Sequence, residues 1–243
     1  MTSLLLLDDS AIVNDLFAGV LRDRLSIEVV PLAAIADLDD ELARHGAFDV
    51  AVVDLSFPEE RRNGLDALLT IHERHPDTVL AVITQGDAFV GELLRDVWEL
   101  LPVAGVISKS APIELQITQI HELVATGRTS IDPSVLPLLP SVRPAWRSIS
   151  AFSRLVTHVG HAKLWEALID APDDVTYRDV VERTGLRLNT VKNYRTQLLP
   201  ELLGHGLHDP SLREMRDFAV RCRPILERCN VTVRERSKIR TDR

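Results

Sequence analysis

Apolar positions in the first 126 residues fall into short runs of leucine and β-branched side chains at 3–7, 27–30, 48–53, 78–83 and 103–107. Longer stretches with apolar residues at three- and four-residue spacing separate them, near 11–24, 33–45, 64–74, 88–99 and 112–126. Short continuous runs suit strands buried on both faces, and the spaced stretches suit amphipathic helices. Five such repeats predict an α/β domain over residues 1–127, a doubly wound five-stranded parallel sheet covered by helices.

The texture changes after Gly127. Pro133, Pro137, Pro140 and Pro144 remove backbone donors and disfavour continuous helix, so residues 128–148 are expected to form an interdomain linker. From residue 149 the pattern is all helical, with segments at 150–159, 161–170, 176–184, 188–203 and 211–229, the last interrupted at Pro224. A smaller all-α domain over 149–233 is therefore expected, followed by a charged tail, 234–243, that lacks periodicity and is expected to be disordered.

At 243 residues the chain suits two small domains. Its leading apolar run stops at Asp8, well short of the roughly 18 residues a membrane span needs, and no basic leader precedes it. A cytoplasmic protein without membrane contact is expected. The two cysteines, Cys222 and Cys229, lie seven residues apart on one predicted helix and read as buried free thiols. The net charge of −8 hides an asymmetry: residues 1–128 hold 9 Lys/Arg against 22 Asp/Glu, and residues 129–243 hold 19 against 14. An acidic body joined to a basic one suits a regulatory domain fused to one that binds a polyanion.

Ligands of doubly wound sheets bind outside the carboxyl ends of the strands. There the first strand runs into Asp8-Asp9, the third into Asp54, the fourth into Thr84 and the fifth into Lys109. Three carboxylates, one hydroxyl and one ammonium are thus expected on one rim. Clustered carboxylates repel, and a hard divalent cation such as Mg²⁺ relieves the repulsion.

This constellation, in this order, with Pro58 four residues after Asp54, resembles the receiver domain of two-component response regulators over residues 1–126, a flavodoxin-like fold. The resemblance implies that Asp9, Asp54 and the backbone carbonyl of Ser56 bind Mg²⁺, with Asp8 helping to hold it. It implies that Asp54 accepts a phosphoryl group from a sensor histidine kinase while Lys109 neutralises charge, and that Thr84 hydrogen-bonds the new group as a switch. Such a protein takes part in phosphotransfer and is not a turnover enzyme. Four places depart from the family pattern: a loop after Asp54 about two residues longer than usual, Gln85 where a small residue is preferred, Val106 where an aromatic switch residue is common, and Ser110-Ala111 for Lys-Pro. Gln85 bears on access to the phosphoryl group, and Val106 with Ser110-Ala111 on the switch of the fifth strand. A haloacid-dehalogenase-like phosphatase, the rival reading of Asp54, needs a second Asp two positions later, where this chain has Ser56.

Residues 176–203 predict a helix-turn-helix: Thr176 and Asp179 form a capping-box start, and Gly185 supplies the positive φ of a sharp turn. On the second helix Val191, Tyr194 and Leu198 share one face, leaving Asn189, Thr190, Lys192, Asn193, Arg195 and Thr196 outside without a carboxylate. Asn can pair with adenine edges, and Arg and Lys with guanine edges or phosphates, in the major groove. The run 185–194 resembles LuxR/NarL-type output domains, with Arg187 in place of the usual capping Ser and an additional C-terminal helix. The two resemblances together imply a transcription regulator whose phosphorylation at Asp54 favours homodimerisation and binding to double-stranded promoter DNA. The alternative is a phosphorylation-independent receiver acting as a protein-interaction module or atypical transcriptional regulator.

Overall fold

The computed structural model describes residues 2–86, 88–140 and 149–241, and the chain divides into two compact units, 1–146 and 147–243.

The first unit alternates strand and helix: β1 (Ser3–Leu7), α1 (Ala11–Leu25), β2 (Glu28–Leu32), α2 (Leu38–His45), β3 (Val50–Asp54), α3 (Gly64–Arg74), β4 (Val79–Thr84), α4 (Ala88–Leu100), β5 (Val103–Ser108) and α5 (Ile113–Thr126). A short 3-10 turn, Ile35–Asp37, leads into α2. All strands pair in parallel in the order β2-β1-β3-β4-β5, extended at one edge by β6 (Ser130–Ile131). Leu4 to Leu7 and Val50 to Val53 are each at most 1 % exposed, as two-sided burial requires of central strands.

The sheet has six strands, not five, and the correction falls on the expected linker. Ser130 and Ile131 pair with Gly105 and Val106, and the Asp132 N–H donates to the Val106 carbonyl at 2.8 Å. The prolines cluster beyond this pairing, where they cost no ladder bond. A 3-10 turn, Leu136–Leu138, then sets the Leu138 side chain over Gly86 and Gly91, where a Cβ would stand 3.5 and 3.6 Å from it. Residues 141–148 of the expected linker, with Pro144, lie outside the described residues.

The second unit is helical: α6 (Val159–Ile169), α7 (Tyr177–Thr184), α8 (Leu188–Gly204), α9 (Leu212–Arg221) and α10 (Arg223–Thr241). The helix expected at 150–159 is instead a 3-10 segment, Ile149–Arg154, with α6 starting afresh where the His158 side chain accepts from the Gly160 N–H. Trp165, Phe152 and Phe218 fill the core of this unit, and the Trp165 indole N–H donates to the Leu155 carbonyl at 2.8 Å. The break at Pro224 appears as the α9–α10 boundary. The tail expected to be disordered continues α10 to Thr241, where Arg234 pairs with Glu166 of α6; residues 242–243 lie outside the described residues. Cys222 is buried and Cys229 half-buried, both free, and burial pushes the Cys229 thiol up from its ordinary pKa.

Candidate functional site

Strand order reverses direction between β1 and β3, because the chain winds outward from β1 to β2 and then returns to add β3 on the other side. A crevice opens at such a switch point, and β1 and β3 are the strands that end in Asp8-Asp9 and Asp54. Asp8, Asp9 and Asp54 each offer a carboxylate oxygen, all within 4.8 Å of one another. Asp8 and Asp54 are buried, 7 % and 3 % exposed, and Asp9 is exposed. Three oxygen donors of one sign at this spacing are a donor set suited to a hard divalent cation.

Lys109 completes the cluster from the end of β5. Its Nζ lies 2.7 Å from Asp8 Oδ2 and 2.7 Å from Asp54 Oδ2. The other Asp54 oxygen, Oδ1, accepts from the Leu55 N–H at 2.7 Å. Burial raises the Asp54 pKa above the ordinary carboxylate value, and the nearby Asp8 charge acts in the same direction; Lys109 and the Ser56 N–H oppose them. Burial alone would lower the Lys109 pKa, but its bonds to Asp54 and Asp8 outweigh this and raise it.

Thr84 ends β4 one residue beyond the position opposite Asp54 and is fully buried. Its Oγ1 accepts from the Gly86 N–H at 3.1 Å, and its carbonyl accepts from the Lys109 N–H at 2.8 Å, so hydroxyl and ammonium are tied through one backbone bond. Gln85 is exposed. Val106 is fully buried and pairs with Ile131 of β6, so this position presents no exposed side chain. The loop after Asp54 returns tightly at Gly64, where a Cβ would stand 2.3 Å from the Asp54 carbonyl oxygen.

In the second unit Thr176 and Asp179 form the expected reciprocal capping box on α7, and Gly185 takes φ 67° at the turn into α8. Val191 and Leu198 are buried and Tyr194 half-buried, facing inward as expected. Tyr194 packs against His158 and His161, each at 5.1 Å between ring centroids. Asn189, Lys192, Asn193 and Thr196 are exposed, and Thr190 is half-exposed. Lys192 Nζ stands 5.7 Å from the Tyr177 ring centroid. Arg195 departs from the expected outward face. Its guanidinium donates twice to the Pro210 carbonyl, at 3.0 and 2.8 Å, and pairs with Asp209 at 2.7 Å, because a long side chain at this half-buried position reaches the turn before α9. Arg187 sits at the α8 N-cap without a side-chain cap bond.

Asn14 and Glu60 escaped the sequence reading. The Asn14 amide donates to the Leu32 carbonyl at 2.7 Å and the Leu6 carbonyl at 3.3 Å, and the Ile35 N–H donates to Glu60 Oε1 at 2.7 Å. An Asn on the Ala18–Leu21 buried stripe of α1 was a signal for the first; nothing in the spacing marked the second.

No protein-family model and no curated protein matches the sequence. Solved structures do match. The two-component response regulator RcsB in complex with DNA aligns over 90 % of this chain and 98 % of its own, at 16 % identity and a TM-score of 0.51. The isolated receiver domain of RcsB from Salmonella enterica serovar Typhimurium, with the phosphomimetic BeF3⁻, aligns over 57 % of this chain and 99 % of its own, at 21 % identity and TM-score 0.49. A LuxR-family response regulator from Aurantimonas sp. SI85-9A1 aligns over 56 % and 94 %, at 24 % identity and TM-score 0.47. The first of these alignments shows a shared fold, a parallel α/β sheet unit followed by a helical unit with a helix-turn-helix, as in RcsB. Among the described residues no helix is long and apolar enough to cross a membrane.

Proposed function

We propose that this chain is a response regulator of transcription, in which Asp54 accepts a phosphoryl group from a sensor histidine kinase and the second unit binds promoter DNA. The observation that carries the reading is the Asp8–Asp9–Asp54 cluster bridged by Lys109, set at the switch point of a doubly wound sheet.

Asp9, Asp54 and the Ser56 carbonyl would hold Mg²⁺, with Asp8 supporting. Bound there, the cation neutralises charge on the transferring phosphoryl oxygens and relieves repulsion among the carboxylates. An Asp54 oxygen attacks phosphorus of a phosphohistidine; the P–O bond forms, the P–N bond breaks, and the leaving imidazole nitrogen keeps the electron pair and takes up a proton. Lys109 Nζ, already bonded to Asp54, follows the developing negative charge. The Thr84 hydroxyl, which accepts from the Gly86 N–H, donates its own proton to a phosphoryl oxygen, which shifts the loop after β4. Ile12, Val13 and Leu16 of α1, 77 %, 59 % and 68 % exposed close to Asp9 in the chain, offer the kinase an apolar surface.

Asn189, Thr190, Lys192, Asn193 and Thr196 form the DNA-reading face, and Arg195 supports it from inside. Phosphorylation favours homodimerisation, so that two α8 helices engage one site. The +5 balance of residues 129–243 supports a polyanionic partner.

The test is phosphorylation by a kinase or small-molecule phosphodonor with and without Mg²⁺, alongside gel shift on genomic fragments. Label that requires Mg²⁺ and disappears in Asp54→Asn, together with a shift lost in Lys192→Ala/Asn193→Ala, is the expected result. Unlabelled protein would reject the phosphoacceptor, and an absent shift would reject DNA binding.

A further inference from the structure

Asp8 and Asp9 lie on the loop after β1, Asp54 ends β3, and the Ser56 carbonyl lies on the loop that follows it. The sheet reaches one residue into the first loop, through the Asp8 N–H bond to Leu32 of β2, and the Ser56 loop lies beyond the end of β3, so further contacts must fix their separation to the fraction of an ångström a small cation demands. The end of β2 and the start of the connection after it, residues 32–35, bond to both. From the first loop, the Asp8 N–H donates to the Leu32 carbonyl at 3.1 Å, and the Asn14 amide donates to the same carbonyl at 2.7 Å. Asn14 is 3 % exposed and also reaches the Leu6 and Asp8 carbonyls, at 3.3 and 3.5 Å. From the second loop, Glu60 Oε1 accepts the Ile35 N–H at 2.7 Å, while the Glu60 N–H donates to the Phe57 carbonyl at 3.0 Å. Phe57 and Ile35 are both buried, so this bond is anchored at each end. Arg62, further along the same loop, lies 3.8 Å from Asp39 of α2.

We propose that Asn14 and Glu60 are positioning residues for the cation site, bracing the Asp8-Asp9 and Ser56 loops against one common strut at residues 32–35. The inference rests on the cation-site reading above and goes beyond it. The additional length after Asp54 then has a purpose, because it carries Glu60 across to the β2–α2 connection. Neither residue touches the cation. Their effect is on how closely the ligands are held before it binds, which is how outer-shell groups tune metal affinity.

Isothermal titration of Mg²⁺ into the full chain, with a thermal midpoint recorded for each variant, tests this. Glu60→Ala should weaken Mg²⁺ binding roughly tenfold, the scale of outer-shell losses. Glu60→Gln keeps an oxygen acceptor for the Ile35 N–H and should bind near the wild-type value, which separates the brace from the plain loss of a nearby negative charge. Asn14→Ala should weaken binding in the same direction; because Asn14 is buried, the Glu60 pair decides if that variant fails to fold. Wild-type affinity in Glu60→Ala overturns the brace and leaves the cation site standing, as does equal weakening in Glu60→Gln and Glu60→Ala. Absence of Mg²⁺ binding in the wild type overturns the cation-site reading and the brace with it.

Discussion

The Arg195 guanidinium holds the Pro210 carbonyl from two of its nitrogens, Nε at 3.0 Å and Nη2 at 2.8 Å. A recognition-helix side chain that periodicity places outside is thus committed to the turn leading into α9. Arg195→Ala should destabilise the second unit by about 1–2 kcal/mol, the range for hydrogen bonds to a charged group that is partly exposed. Urea denaturation followed through Trp165 measures it. DNA affinity at saturating stability should keep its salt slope, since no phosphate contact is removed; a slope reduced by one would place Arg195 on the DNA.

Lys192 is expected to behave in the opposite way. It is exposed on α8 and free to reach a phosphate, so Lys192→Ala should leave the denaturation midpoint unchanged and lower the slope of log affinity against log salt by about one. Fluorescence anisotropy on a bound fragment across a salt series reads both.

Asp54 is held above the ordinary carboxylate pKa chiefly by burial. Folded Asp54 therefore keeps its proton at a pH where the unfolded chain has lost it. The stability this supplies is complete below the unfolded value of 3.8 and is lost as pH rises through the folded value. At neutral pH the ionised carboxylate is a burden on the first unit. Asp54→Asn should raise the thermal midpoint of that unit, and millimolar Mg²⁺ should raise it in the wild type but not in the variant. Scanning calorimetry with and without Mg²⁺ checks the pair; an Asp54→Asn variant that melts lower would contradict the burial argument.

His161 has its pKa pushed down to about 4, first by burial and then by the adjacent His158, with Gln197 partly opposing. In the unfolded chain it titrates near 6.5. Between these values the unfolded state binds the extra proton, so stability of the second unit should rise with pH through this window and fall on acidification. The full effect is about 3 kcal/mol, at 1.36 kcal/mol for each pKa step. Urea midpoints at pH 7 and pH 5 sample about 2 kcal/mol of it, since folded His161 takes up its proton only near pH 4, and His161→Gln should flatten the difference. Because Tyr194 of α8 rests on both histidines, acid weakening should appear in DNA affinity as well.

The sequence made the βα alternation legible because strands buried on both faces leave unbroken apolar runs, as at 4–7 and 50–53. The carboxylate rim was legible for a different reason: strand ends in a parallel sheet all point to one edge, so Asp9, Asp54 and Lys109 meet once the strands are placed. β6 was not legible, because two residues carry no periodicity and proline nearby argues for a connector. Arg195 was misplaced because helical periodicity assigns a face to the Cβ, whereas a long side chain can turn back to a carbonyl fifteen residues away. Glu60 reads as one charge in a polar loop until the fold sets Ile35 beside it.

β6 bears on how this protein survives crowding. The last strand of a sheet presents bare N–H and C=O groups to any other extended chain, which is how sheets grow from one molecule into the next. In a five-stranded sheet that strand would be β5, buried on its faces and rich in β-branched residues, a good template for such growth. Ser130 and Ile131 occupy its middle instead. A fragment cut at Gly127 should therefore self-associate during concentration, whereas one extended through Leu139 should remain monodisperse. The stretch that reads in the sequence as a spacer covers the middle of the outer edge of β5.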